Sequence, residues 1–364
     1  MVIQIEETHK LFDSLEEMLL PESLSSLLSK PVSRVTRQPI DNHNGVAGGR
    51  LSYVDTDNDR YVLKRMSIES DWIMHASDDR HGRSVRLWQY GMLDRLRPFL
   101  EHKMIACARD GDGWAILMHD LGDGVHWRGQ PTAAESVPQF LDALARMHAT
   151  FWNDPLLLED RVGLCDPARL LDQSALPVAR DHPNISAFNS PIPVWVVEGW
   201  EIMSELLERE IFEAMHMLIE NPSPLFEALD RYPFTLLHGD YRDANLAVLV
   251  QGQLVAYDWQ EAAHSLMTVD LAWFTNDVRD LITLSQAQSF YRERLERYLG
   301  QEFDNQSWEV MLDLGYLVNA LRSTCFSAYF SKHWDNPTWR EREKVKVKEK
   351  GQQTHRALRW LSKQ

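Results

Sequence analysis

The sequence predicts an α+β chain in two unequal lobes, a small antiparallel sheet followed by a larger, mainly helical part. Three observations carry this. Short strand-like runs separated by turns fill residues 33–118. Apolar stripes of helical period dominate from residue 131 onward. Between the longest of these, residues 236–259 (LLHGDYRDANLAVLVQGQLVAYDW) read as an apolar run, a polar loop and a hairpin.

At 364 residues and 44% hydrophobic side chains, the chain has enough apolar material for a core in each lobe. No apolar run approaches the length of a membrane span, and the opening MVIQIEETHKLF does not read as a signal peptide. Cys107, Cys165 and Cys325 are few and scattered, fitting neither a disulfide framework nor a zinc site, so a cytoplasmic location is expected. A net charge of −16 argues against a nucleic-acid partner. The charge is uneven: residues 337–364 carry nine Lys/Arg and three Asp/Glu, a net +6. The acidic remainder suits a cationic acceptor, and it suits solubility equally well.

Taken in order, residues 1–30 carry amphipathic patterns, including Leu11, Leu15, Met18 and Leu19, and read as a helical extension. Residues 50–54 and 61–64 are strands around the turn Asp57-Asn58-Asp59. Ahead of them lies Asn44-Gly45-Val46-Ala47-Gly48-Gly49, where glycines let backbone N–H groups approach a phosphate closely; a plain turn competes with that reading. One helix is expected over 78–97, then two strands over 102–108 and 114–118. The clearest helix is 131–152, with a Thr132/Glu135 capping box and a stripe from Phe140 to Phe151; His148 on that stripe reads as core. Residues 153–192 are loop-rich, and 193–221 read as one helix. Glu198, Glu201 and Glu205 share a face of it, read as solvated. Helices recur over 291–298 and 308–329. Trp308, Phe326, Tyr329, Trp334 and Trp339 are candidates to line a pocket for a ring, with core packing the commoner role. Residues 344–350 (KVKVKEK) read as an exposed helix face rather than an anion site.

The hairpin carries the chemistry. Its strands, 246–250 and 254–257, meet through Gln251-Gly252-Gln253, so Asn245 at one outer end approaches Asp258 at the other. Asp240 sits on the loop just before. Two hard oxygen donors, Asn245 and Asp258, suit Mg²⁺. Asp240 is left to accept a proton from an incoming hydroxyl.

His238-Gly239-Asp240-x-x-x-x-Asn245 followed by Asp258-Trp259 resembles the catalytic core of the aminoglycoside phosphotransferase and choline kinase family, small-molecule kinases with a protein-kinase-like fold. The protein-kinase counterparts are the H-R-D-x-x-x-x-N loop and the D-F-G triplet. The resemblance implies a bilobal fold, with residues 1–119 as the nucleotide-binding lobe and 120–364 as the catalytic and acceptor-binding lobe. It implies ATP and Mg²⁺ as cofactors and a small-molecule hydroxyl as acceptor. Asp240 would be the base, and Asn245 and Asp258 the Mg²⁺ ligands. Gly45 and Gly48 would cover the nucleotide phosphates, Lys64 would bind them, and Met118, His119 and Asp120 would form the adenine hinge. His238 and Asp270 would support the catalytic loop.

One position departs from the family. Ser84 stands where a helix glutamate would pair with Lys64, leaving Glu69, Asp78 and Asp79 as the nearby substitutes. That gap motivates the alternative of a nucleotide-binding, non-catalytic module. A protein kinase is disfavoured by Gly239, by Trp259 and by the eleven residues between Asp258 and Asp270, too few for an activation segment.

Overall fold

The computed structural model describes residues 6–41, 45–122, 133–181, 188 and 190–361. Asn44 of the glycine loop, and Pro131 and Thr132 at the expected helix start and capping box, lie outside the described residues.

Two short helices, α1 (Leu15–Met18) and α2 (Pro21–Leu28), lead into β1 (Thr36–Pro39), β2 (Arg50–Asp55) and β3 (Arg60–Met66). After α3 (Trp72–Ala76) and α4 (Arg83–Gln89), β4 (Met104–Asp110) and β5 (Gly113–His119) complete one antiparallel sheet of order β1-β2-β3-β5-β4. Alternation along β3 explains its two faces. Tyr61 and Leu63 join Leu15, Met18, Leu24 and Leu117 in a small core, while Val62 and Lys64 face a cleft.

Of the single helix expected over 78–97, only α4 and a 3₁₀ turn at Asp94–Leu96 form, and α3 lies ahead of that span. Asp78 (φ +50°) and Gly82 (φ +66°) turn the backbone left-handed before α4 and Gly91 (φ +66°) does so after it, which an α-helix cannot accommodate. The expected 193–221 helix likewise divides into α7 (Ile192–Leu206) and α8 (Arg209–Glu220), with Leu207 extended at the break.

The helical part begins with α5 (Ala133–Thr150) and the short α6 (Leu176–Asp181), then α7, α8 and α9 (Ser223–Leu229). Two small pairings follow. β6 (Thr235–Leu237) pairs with β9 (Ala263–Ser265), and β7 (Leu246–Val248) with β8 (Leu254–Ala256). Then come α10 (Thr268–Asp277), α11 (Leu284–Leu299), α12 (Trp308–His333) and α13 (Pro337–Leu361). Buried along much of its length, α12 packs against α7, α10 and α13. No helix among the described residues is long and apolar enough to cross a membrane.

The 344–350 segment corrects its sequence reading. Glu343, Val347, Lys350, Thr354 and Ala357 form a stripe of spacing four and three, and all five are buried. Lys350 is a buried residue at the cleft, not part of an exposed face.

Candidate active site

Between β6 and β7 the chain makes a loop whose backbone is held from below. Asp270, fully buried on the first turn of α10, accepts the His238 amide (2.7 Å) and the Gly239 amide (3.0 Å). His238 is buried, and burial lowers its pKa despite nearby carboxylates. Its contacts suit a neutral ring. Nδ1 accepts the Asp240 amide (3.3 Å), and Nε2 donates to the Tyr257 carbonyl (3.1 Å). Gly239 has φ +84°, and a Cβ there would lie 2.1 Å from the Glu261 carbonyl oxygen. The arginine of protein kinases therefore has no room at this position.

Asp240 receives three side-chain donors. Trp273 Nε1 lies 2.8 Å from Oδ1, Asn245 Nδ2 2.7 Å from Oδ2, and Arg242 Nε 2.9 Å from Oδ1. Burial opposes its ionisation, but the Arg242 guanidinium, with Arg322 behind it, outweighs burial and holds the carboxyl below its ordinary value. Beneath the loop lies a buried ion pair. Arg322 of α12 donates to Glu261 and to the Gly239 carbonyl (2.9 Å), its guanidinium 4.4 Å from the Trp273 ring centre. Burial pushes Glu261 up to about 7, against the pull of Arg322.

Across the cleft, Lys64 Nζ donates to Asp258 Oδ1 (2.7 Å) and to Gln260 Oε1. Asp258 leaves β8 in the left-handed region (φ +66°), an uncommon conformation that tends to persist at functional sites. Glu69, Asp78 and Asp79 do not partner Lys64. Asp79 accepts the Arg83 amide, Asp78 pairs with Arg80, and Glu69 is exposed. The carboxylate that does face Lys64 from the helical side is Asp71, which caps α3 through the Met74 amide. Burial raises Asp71 to about 6, with the Lys64 charge pulling the other way. In the sequence, Asp71 was one acid among several; only its place as the cap of a short, buried helix could have marked it.

Gly45, Val46, Ala47 and Gly49 line the cleft, as do Met118, His119 and Asp120. Gly48 (φ +111°) is turned onto Ser70, whose carbonyl oxygen would sit 2.1 Å from an added Cβ. The cleft holds about 770 Å³ and runs from the glycine loop past Asp240 to the helical walls. Of the aromatic candidates read from the tail, Phe326 lines it, joined by Trp195, Trp273 and Phe330; Trp308 is core, and Trp334 and Trp339 are exposed together.

For a metal, Asn245 and Asp258 offer an amide oxygen and a carboxylate, the donors that Mg²⁺ takes alongside phosphate oxygens. Among the described residues no three His, Cys, Asp or Glu side chains gather at one point. These two donors therefore fit a magnesium ion shared with a nucleotide rather than a self-contained metal cage.

A small sheet over a helical lobe, with these groups at the junction, defines a phosphotransferase of kinase-like fold. The family model described as phosphotransferase enzyme family (APH) matches residues 43–311, and the chain belongs to that family as a small-molecule kinase. Among solved structures, a Ralstonia eutropha protein provisionally named an aminoglycoside phosphotransferase aligns with a TM-score of 0.55 at 14% identity, over 94% of this chain and 98% of that one. A Plasmodium vivax ethanolamine kinase aligns with a TM-score of 0.51 at 12% identity, over 87% of this chain and 82% of that one. At such identities the likeness is one of fold. No curated protein sequence matches this chain.

Proposed function

We propose that the protein transfers the γ-phosphoryl group of ATP to a hydroxyl of a small molecule. The observation that carries this is Asp240, held at the cleft by Arg242, Asn245 and Trp273 and kept ionised there. An ionised, oriented carboxylate can accept the acceptor's proton. The acceptor oxygen bonds to the γ-phosphorus as the bond from that phosphorus to the bridging oxygen breaks. The proton passes to Asp240, and ADP leaves. Asp258 and Asn245 would hold Mg²⁺, whose charge offsets that of the phosphates. Lys64 supplies further positive charge, with Gly45 over the phosphates and Gly48, turned onto Ser70, shaping the loop that covers them. Met118, His119 and Asp120 form the hinge whose backbone groups meet the adenine edge, with Met118 as the apolar contact. His238 and Asp270 keep the loop in place. On this reading residues up to 119 serve the nucleotide and the rest serve catalysis and the acceptor. Three buried free thiols, Cys107, Cys165 and Cys325, fit a reducing compartment such as the cytoplasm.

The non-catalytic alternative drew on the missing partner for Lys64. Asp258 pairs with Lys64, and the buried Asp71 carboxylate lies close enough to feel its charge, so the gap that motivates it is filled. The test is ADP release from Mg-ATP against amine-rich, sugar and apolar alcohols, with Asp240→Asn as the blank. Release that disappears in the variant supports the assignment; equal release in both removes Asp240 from it.

A further inference from the structure

The far end of the cleft is walled by α7, α12 and α13. One side is aromatic, with Trp195, Phe326 and Phe330; the Trp195 and Phe330 ring centres are 5.1 Å apart. From α13 come Glu343, Lys346, Glu349 and Lys350. The other Lys and Arg residues lining the cleft each have a carboxylate. Lys64 meets Asp258 (2.7 Å), Lys103 Glu101 (3.5 Å), Arg242 Asp240 (2.9 Å), Arg279 Glu349 (2.7 Å) and Lys346 Glu343 (2.6 Å).

Lys350 differs. It is only 6% exposed, yet among the described residues no carboxylate lies within ion-pair reach of it. Its Nζ donates to Ser327 Oγ (3.0 Å) and the Ser323 carbonyl (3.2 Å), both neutral oxygens of α12. An ammonium has three donors, so one remains. Burial pushes the amine down to about 7, Lys346 and Arg279 push the same way, and Glu343 and Cys325 oppose them. A buried amine without an ion-pair partner, on the wall of a cleft, is a site that an anion completes by favouring its charged form.

We propose that Lys350 is a specificity-determining residue that binds a carboxylate on the acceptor, so that the acceptor is a hydroxy acid with an aromatic or apolar body. This rests on the phosphotransferase reading above. The spacing supports it. Arg322 on α12 touches the catalytic loop, and Ser323 and Ser327, which hold Lys350, follow within about one and a half helical turns. Asp240 and Lys350 line the same cleft, and the body of such an acceptor would lie against Trp195, Phe326 and Phe330. The acidic balance of the chain suits a cationic acceptor, but at this wall the carboxylates Glu343 and Glu349 are already paired with Lys346 and Arg279, which leaves Lys350 as the charge without a partner there.

The experiment uses three probes of one shape: 4-(hydroxymethyl)benzoate, its methyl ester, and 4-(hydroxymethyl)benzylamine. Binding of each is measured by calorimetry with a non-transferable ATP analogue present, on the wild type, Lys350→Met and Lys350→Gln. The glutamine variant keeps a donor for Ser327 without the charge. The acid should bind the wild type at least about tenfold more tightly than the ester or the amine, the usual scale for one charge-assisted contact. Both variants should lose that preference while still binding the analogue. A lysine with a purely structural role would leave the acid-to-amine ratio unchanged in the variants, and that result overturns the proposal. So does an ester or amine that binds as well as the acid, or three silent probes on an enzyme that still binds the analogue; in these cases the kinase reading stands. An enzyme that does not bind the analogue at all sinks both.

Discussion

The catalytic end of the cleft takes its groups from the loops around two short strand pairs and the start of α10, whereas the helical end takes them from α7 and from the α12–α13 pair much later in the sequence. At the catalytic end, geometry is fixed by hydrogen bonds: Asp270 on two loop amides, His238 between the Tyr257 carbonyl and the Asp240 amide, and three donors on Asp240. At the helical end, Trp195, Phe326, Phe330 and Lys350 are placed by the packing of α7, α12 and α13. The first arrangement fixes a reaction, and the second is free to choose a substrate. Damage at the catalytic end should therefore fall on turnover, and damage at the helical end on acceptor affinity.

The sharpest test of that division is Asp240→Asn. It keeps the shape and removes the base, so turnover should fall about a thousandfold, within the usual range for losing a general base. Nucleotide affinity should change by no more than about twofold, since the base acts on the acceptor proton. Single-turnover kinetics beside equilibrium ATP binding separate the two. Lost ATP binding would contradict the division.

Arg322 joins the ends, because it leaves α12 to meet both Glu261 and the Gly239 carbonyl. Arg322→Met strands Glu261 as a buried, unpaired acid, at a cost of roughly 3–5 kcal/mol of stability. Arg322→Met with Glu261→Gln should recover most of it in denaturant melts. A double variant no more stable than the single one would mean that the guanidinium acts mainly through the loop carbonyl and Trp273.

The same contrast decided what could be read from the sequence. Phosphoryl transfer needs its groups at set spacing, so His238, Asp240, Asn245 and Asp258 stood out as a motif. The alternation of β3 likewise displayed Lys64. The kinase-like fold followed from these and holds in the family match. The helical wall left no such trace. Its α13 stripe reads Glu, Val, Lys, Thr, Ala, so hydrophobic periodicity could not flag it, and only packing against α12 shows that it is buried. The shortness of α4 escaped because Asp78, not a proline, turns the chain left-handed before it, as Gly82 does.

Asp71 offers a test through pH. Its folded pKa of about 6 lies above the ordinary carboxyl value of 3.8. The folded state therefore holds its proton more tightly, and the stability this gives is present below about 3.8 and lost as pH rises through about 6. Asp71→Asn keeps the cap on α3 but cannot ionise. It should match the wild type near pH 4 and become the more stable protein by pH 7, by roughly 3 kcal/mol for a shift of two pH units. A stability difference that does not vary with pH would show that Asp71 is not buried in its charged form.

The smallest effect belongs to the helical wall. Trp195 lines the cleft beside Phe330 without touching the catalytic loop's network. Trp195→Ala removes an aromatic face that is only half-buried before an acceptor arrives. The loss should appear as an acceptor KM raised about tenfold, in keeping with roughly 0.5–1.5 kcal/mol for one ring contact and the apolar burial that goes with it. The KM for ATP and the turnover number at saturating acceptor should stay close to wild type, because uniform binding is lost rather than transition-state contact. If kcat fell as much as KM rose, Trp195 would be positioning the hydroxyl for Asp240 as well as holding the body of the acceptor, and the two ends of the cleft would be working as one site.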